Sequence, residues 1–347
     1  MKATAFIEPG KVEIHEVAKP EVQLSGDAII KIVRACVCGS DLWFYRGIQK
    51  MAKDSRVGHE AIGIVEEVGD EVTNVKKGDF VIVPFTHGCG HCAACLAGFD
   101  GDCMNVPENV NNGYQAEYLR YVNANWGLVK VPGDPKSYSD DQLKSLLTLS
   151  DVMATGYHAA VTAEVKEGDT VVVMGDGAVG LCGVISAKLR GAKRIIAMSR
   201  HEDRQKLAKE FGATDIVAER GDDAVKKVME LTDGAGADAI LECVGSEQAV
   251  DTAVKVGRPG AVVGRVGIPQ TPEMNTNNLF FRNTGLRGGI AAVTTHDRAT
   301  LLDAVLSGKI NPGKVFTQSF DLDHIQDAYE AMDERTAIKS LLKVSEI

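Results

Sequence analysis

The chain has 347 residues, 44% hydrophobic and 25% charged, a length beyond what one core usually holds, so two domains are expected. Its 48 acidic against 38 basic residues give a net charge of -10, which argues against the basic face needed to bind nucleic acid or anionic membranes non-specifically. No apolar run approaches the roughly 18 residues of a membrane span. The opening MKATAFIEPGKVEIHE alternates like a strand and lacks a signal peptide's apolar core, so a soluble cytoplasmic protein is expected.

The first part reads as β-rich: short runs such as AIIKIV, AIGIVEEVG and DFVIVPF are broken by glycine and Asp/Asn turns. PGDPKSY is a loop, and DDQLKSLLTLSDVMATGYHAAV after it has helical apolar spacing with no internal proline. From Thr170 strands and helices alternate. TVVVMG, RIIAMS, ADAILECVG and GAVVGRVG read as strands; AVGLCGVISAKLRG, EDRQKLAKEFG, DDAVKKVMELT and SEQAVDTAVKVG read as helices. That alternation implies an α/β fold with a parallel sheet covered on both faces. The last stretch mixes one or two helices with a closing strand.

GDGAVG follows the strand TVVVM directly and opens the next helix. Gly175 permits the tight turn and Gly177 lets a pyrophosphate approach the backbone. Gly180 allows close helix–strand packing, and Ala178 and Val179 begin the helix whose N-terminus faces the negative charge. S-adenosylmethionine enzymes share such a turn, but the strands and helices that follow on schedule favour a dinucleotide. The second strand ends not in the acid that accepts the ribose hydroxyls of NAD but in Ser199 and Arg200, with Arg204 shortly after. A hydroxyl and guanidinium suit a 2′-phosphate, so NADP is favoured over NAD. In the other reading Ser199 and Arg200 are solvated and Asp203 serves the ribose.

Of eight cysteines, four lie at Cys89, Cys92, Cys95 and Cys103. In a long chain without a secretory signal, such a cluster is more often a metal site than disulfides. A redox pair or an iron–sulfur cluster are alternatives. An all-thiolate tetrahedron suits structural zinc, and it leaves no position for a substrate. An open site is then to be sought elsewhere; candidates are Cys38 in ACVCGSDLW, His59 and Glu60 in VGHEAIG, and Asp151 in LSDVMATGYHA, which no spacing rule joins. Taken singly, each has a duller explanation: a core thiol, a satisfied interior imidazole, a helix cap.

Together these motifs resemble the zinc-dependent medium-chain alcohol dehydrogenases, in particular the bacterial tetrameric, NADP-linked secondary-alcohol branch. CGSD, GHEAIGIVEEVG with KKGDFVIV, the cysteine loop, TGYHA and GDGAVG occur in that family's order over nearly the whole chain. The resemblance implies a GroES-like β-rich catalytic domain at 1–152 and 289–347. It implies a Rossmann, doubly wound parallel-sheet cofactor domain at 153–288, with the active site between the two. It implies a small-molecule alcohol or carbonyl substrate, a homotetramer and two zinc ions per chain. Cys38, His59 and Asp151 would hold the catalytic zinc, which Glu60 approaches during ligand exchange, and Asp41 would orient the imidazole. Ser40 would contact the alcohol, Thr155 the nicotinamide, and Lys339 the cofactor phosphates. Trp43 stands where the family often has a proton-relaying histidine; with Phe44 and Tyr45 it is expected to make the pocket mouth bulky and aromatic. That departure leaves polyol, diol or threonine-type dehydrogenation as alternatives within the superfamily, and a non-catalytic zinc-binding protein as the alternative outside it.

Overall fold

Turn-punctuated apolar runs become the strands of the first of two units, Met1–Asp151 with Ala292–Ile347; the second is Val152–Ala291. The computed structural model describes residues 1–107, 110, 113–270, 276–291 and 295–347. In chain order the first unit begins with the hairpin β1 (Lys2–Glu8) and β2 (Lys11–Glu16), then β3 (Ala28–Cys36) and the short helix α1 (Asp41–Tyr45). β4 (Ala61–Val68), β5 (Phe80–Val83), α2 (Ala93–Leu96), β6 (Tyr118–Tyr121), α3 (Ala124–Gly127), β7 (Val129–Lys130) and α4 (Asp140–Thr148) follow.

The second unit holds α5 (Val152–Thr162), β8 (Thr170–Met174), α6 (Ala178–Leu189), β9 (Arg194–Met198), α7 (Glu202–Phe211), β10 (Asp215–Val217) and α8 (Gly221–Leu231). It continues through β11 (Ala237–Glu242), α9 (Glu247–Val256), β12 (Gly257–Arg265), α10 (Thr276–Arg282) and β13 (Gly285–Gly288). The chain then returns to the first unit with α11 (Thr295–Leu306), β14 (Phe316–Asp321), α12 (Ile325–Asp333) and β15 (Lys339–Lys343).

The large sheet of the first unit runs β14-β15-β3-β4-β5-β7, with β6 also paired to β3. β3 sits at its centre, and all of its residues except Lys31 are buried, Arg34 included. Its antiparallel neighbours are β15 on one side and β4 on the other. The ends of these three strands position most of the site described below.

The second unit is a six-stranded sheet in the order β10-β9-β8-β11-β12-β13, every pair parallel. Counted within the unit this is 3-2-1-4-5-6, the dinucleotide-binding arrangement, with the reversal between β8 and β11. Val172, Ile196, Val217, Ile240 and Val263 make its buried strand core. Among the described residues no helix is long and apolar enough to cross a membrane.

The expected single helix from Asp140 to Val161 is two helices, α4 and α5. The hydroxyls of Thr148 and Ser150 donate to the carbonyls of Ser145 and Leu147, three residues back, and compete with helical bonding at the junction. The break leaves Asp151 in the turn between them. β10 and β13, three and four residues long, are not expected from the sequence pattern.

Candidate functional site

Three short segments bring one ligand cluster together in the first unit. Cys38 lies two residues past the end of β3, His59 and Glu60 stand directly before β4, and Asp151 occupies the break after α4. Cys38 Sγ lies 3.4 Å from Asp151 Oδ2, and His59 Nε2 also lies 3.4 Å from Asp151 Oδ2. Donor atoms roughly 2.0–2.3 Å from one zinc ion at tetrahedral angles lie about 3.3–3.8 Å apart, so these three fit a shared ion. With Glu60, all four offer ligand atoms within 4.8 Å of one another. Cys38, Glu60 and Asp151 are buried.

The charges of this cluster point the same way. Burial and the Asp151 carboxylate push the Cys38 thiol up. Burial opposes charge on His59, yet Asp41, Cys38 and Asp151 outweigh it and hold the imidazole well above its usual value. Thiol, imidazole and carboxylates crowded in this way want a cation. Glu60 Oε2 is buried with no hydrogen-bond partner assigned among the described residues, a further sign that the donor set suits a positive ion.

The supporting groups are only partly legible in the sequence. Asp41 Oδ1 lies 3.4 Å from His59 Nδ1, which leaves Nε2 facing Asp151 and fixes which nitrogen can ligate. Asp41 Oδ2 accepts the Cys38 amide at 2.9 Å and the Gln115 side-chain amide at 3.3 Å, while Tyr329 donates to Gln115 Oε1 at 3.1 Å. Gln115 fits because Gly58 has φ +90° and no side chain: a Cβ there would sit 2.5 Å from Gln115 Cγ. Neither Gln115 nor Tyr329 carries a sequence signal beyond its polar atom in an apolar setting. Ser40 precedes α1 without spending its hydroxyl on a cap bond.

Two expectations meet surroundings that the sequence does not suggest. Lys339, expected near the cofactor phosphates, is enclosed in the first unit, with its ammonium 2.7 Å from Glu60 Oε1 and donating to the Val37 carbonyl. Both members of that pair are 1% exposed. Burial disfavours the Lys339 charge, but Cys36, Glu60 and Cys38 hold it protonated; burial raises the Glu60 carboxyl while Lys339 lowers it. Phe44 and Tyr45 do not line a pocket mouth. One helical turn carries them inward, Phe44 edge-on to Phe6 at 5.4 Å and Tyr45 against Tyr329 at 5.2 Å. Only Trp43 of the three is half-exposed.

The Cys89, Cys92, Cys95 and Cys103 sulfurs form a second cluster in the same unit, again within 4.8 Å of one another. Cys92 and Cys103 sulfurs are 3.9 Å apart, near the edge of an all-sulfur zinc tetrahedron. Amides of Cys89 and Asn105 donate to Cys103 Sγ and that of Cys95 to Cys92 Sγ. Backbone donation from Cys95 and Met104 lowers the Cys92 thiol to about 6, while burial pushes Cys95 up to about 12 and also raises Cys103. Gly90, at φ +78°, presses on the Trp126 ring, where a Cβ would come within 2.6 Å. The Trp126 indole donates to Asp100, which also pairs with buried Arg298.

In the second unit the glycine turn has the geometry a dinucleotide needs. Gly175 has φ +107°; a Cβ on Gly177 would meet nothing within 4 Å, while one on Gly180 would strike the Gly175 carbonyl at 2.1 Å. The approach side is therefore open and the helix packs hard on the turn. Ala178 and Val179 open α6. At the tip of β9, Ser199 is buried and Arg200 exposed. Arg204, in the first turn of α7, and Ser199 both contact Asp176. Thr155 is buried on α5.

Comparisons with known proteins agree with this architecture. An alcohol dehydrogenase GroES-like domain matches residues 24–133, and a zinc-binding dehydrogenase domain matches 178–307. An uncharacterized zinc-type alcohol dehydrogenase-like protein of Bacillus subtilis is 32% identical over 99% of this chain and 100% of its own. An NADP-dependent isopropanol dehydrogenase of Clostridium beijerinckii is 31% identical over 99% of both. The solved alcohol dehydrogenase of Thermus sp. ATN1 superposes with a TM-score of 0.90 at 30% identity, covering 99% of this chain and 100% of that one. The chain therefore belongs to the zinc-type alcohol dehydrogenase family of oxidoreductases.

Proposed function

We propose that this chain interconverts a secondary alcohol and its carbonyl compound, with NADP favoured over NAD and two zinc ions per chain. The observation that carries the reading is the convergence of Cys38, His59 and Asp151, at 3.4 Å spacings, on a point where they supply three ligands and leave a fourth position for substrate. Zinc bound there supplies Lewis acidity that makes an alcohol hydroxyl acidic, and the nicotinamide supplies the hydride acceptor.

The chain's own residues set that chemistry up. Asp41 holds His59 in one tautomer by accepting its Nδ1 proton, and Gln115 steadies Asp41 in turn. Ser40 Oγ takes the alcohol proton, and Thr155 orients the nicotinamide. Lys339 holds Glu60 through Oε1 while Oε2 stays available to exchange onto the ion. Gly175, Gly177, Ala178, Val179 and Gly180 seat the pyrophosphate. Ser199, Arg200 and Arg204 face the 2′-phosphate, a reading that the NADP-dependent isopropanol dehydrogenases among the relatives support. Trp43 cannot relay a proton, so a proton taken by Ser40 would need another path to solvent. Cys89, Cys92, Cys95 and Cys103 hold the second, structural ion. The family resemblance supports a homotetramer.

A panel of secondary alcohols, diols, polyols and threonine, each with NADP and NAD, tests the assignment. Simple secondary alcohols with NADP are expected to give the highest kcat/KM. A polyol, a diol or threonine in first place would move the chain to another branch of the superfamily. No turnover of any substrate would contradict the proposal.

A further inference from the structure

The residue between the first two glycines of the turn bears on cofactor choice in a way its position in the motif does not suggest. Asp176 reaches from the end of β8 to the tip of β9, where its Oδ2 accepts the Ser199 hydroxyl at 2.8 Å. Its Oδ1 lies 3.3 Å from Arg204 Nη1, which also donates to the Asp176 carbonyl at 3.4 Å. The pair is shielded, with side chains 19% and 12% exposed. Gln205 fixes the far side of this corner by donating to the Ser199 carbonyl at 2.8 Å.

A serine hydroxyl has one proton to give, and here Asp176 has it. The same carboxylate engages Arg204 and places a negative charge among the groups suited to a second negative charge, the 2′-phosphate. Arg200, exposed beside them, is left as the cation not tied to Asp176. We propose that Asp176 is a specificity-determining residue. By occupying Ser199 and Arg204 and by repelling the 2′-phosphate, it holds the preference for NADP to a modest one, so that the chain binds NAD as well. This deepens, and rests on, the dinucleotide reading of the GDGAVG turn.

Titrations of the full-length, zinc-loaded protein with NADPH and NADH, followed by cofactor fluorescence, test it. Asp176→Asn keeps an acceptor for Ser199 but removes the charge, and is expected to tighten NADPH about tenfold while NADH stays within about twofold. The fragments 2′,5′-ADP and 5′-AMP, used as competitors, should show the same split. Should Asp176→Asn fail to fold, Asp176→Ser gives the same readout. Arg200→Ala is expected to weaken NADPH about tenfold and to leave NADH little changed. Unchanged or weaker NADPH binding in the Asp176 variants overturns the role of Asp176 alone. Failure of the wild-type chain to bind either dinucleotide overturns both this inference and the reading beneath it.

Discussion

The two ligand clusters of the first unit use the same kind of donors in opposite ways. Cys89 and Cys103 are 14 positions apart in one glycine-rich loop, whereas Cys38 and Asp151 are 113 positions apart and meet only when strand ends and a helix break converge. The loop offers four cysteine sulfurs, with amides donating to those of Cys92 and Cys103, a set that in the proposed site would close its own tetrahedron. The other cluster offers three unlike donors to the proposed open site, beside Glu60, whose Oε1 accepts from Lys339. A saturated set braces a loop; a set left one ligand short can take a substrate.

The sharpest way to break this comparison is to remove one ligand from each side. Asp151→Ala should lower kcat/KM by at least about a thousandfold, more than the roughly 10–100-fold typical of groups that only support a metal ligand. Its melting temperature should stay within about 5 °C of wild type, since the loop ion is untouched. Cys95→Ser should do the reverse in kind. Losing the loop ion is expected to cost about 3–4 kcal/mol, seen as a melting temperature lower by about 10 °C in calorimetry. Activity per folded, zinc-loaded site should remain within about threefold.

A smaller effect separates ligands from the groups behind them. Asp41→Asn keeps the shape of the site but cannot hold the His59 proton with a charge, and should weaken the open-site zinc about 10–100-fold in competition with a chelator. Zinc in the cysteine loop should resist the chelator as in wild type. Equal weakening at both sites would mean that Asp41 acts on folding and not on His59.

What the sequence discloses follows the same division. GDGAVG and the cysteine loop are legible because their chemistry is written in consecutive residues, where spacing alone limits the geometry. Cys38, His59 and Asp151 have no shared spacing, and only a family resemblance joins them; the fold does so through the ends of β3 and β4 and the interruption after α4. That interruption is invisible in apolar periodicity because it depends on where the Thr148 and Ser150 hydroxyls donate. The Glu60–Lys339 pair and the Gln115–Tyr329 support link residues 279 and 214 positions apart, and no local pattern marks them. Phe44 and Tyr45 mislead for the opposite reason: adjacency to Trp43 suggests one aromatic surface, while helical rotation sends them into the core.

Metal counting on the purified variants tests the central claim most directly. Wild-type protein should carry two zinc ions per chain, and Asp151→Ala and Cys95→Ser one each. The ion lost should be the open-site one in the first variant and the loop one in the second. Two zinc ions per chain retained in Asp151→Ala, with activity gone, would contradict the account, because Asp151 would then act without holding the metal.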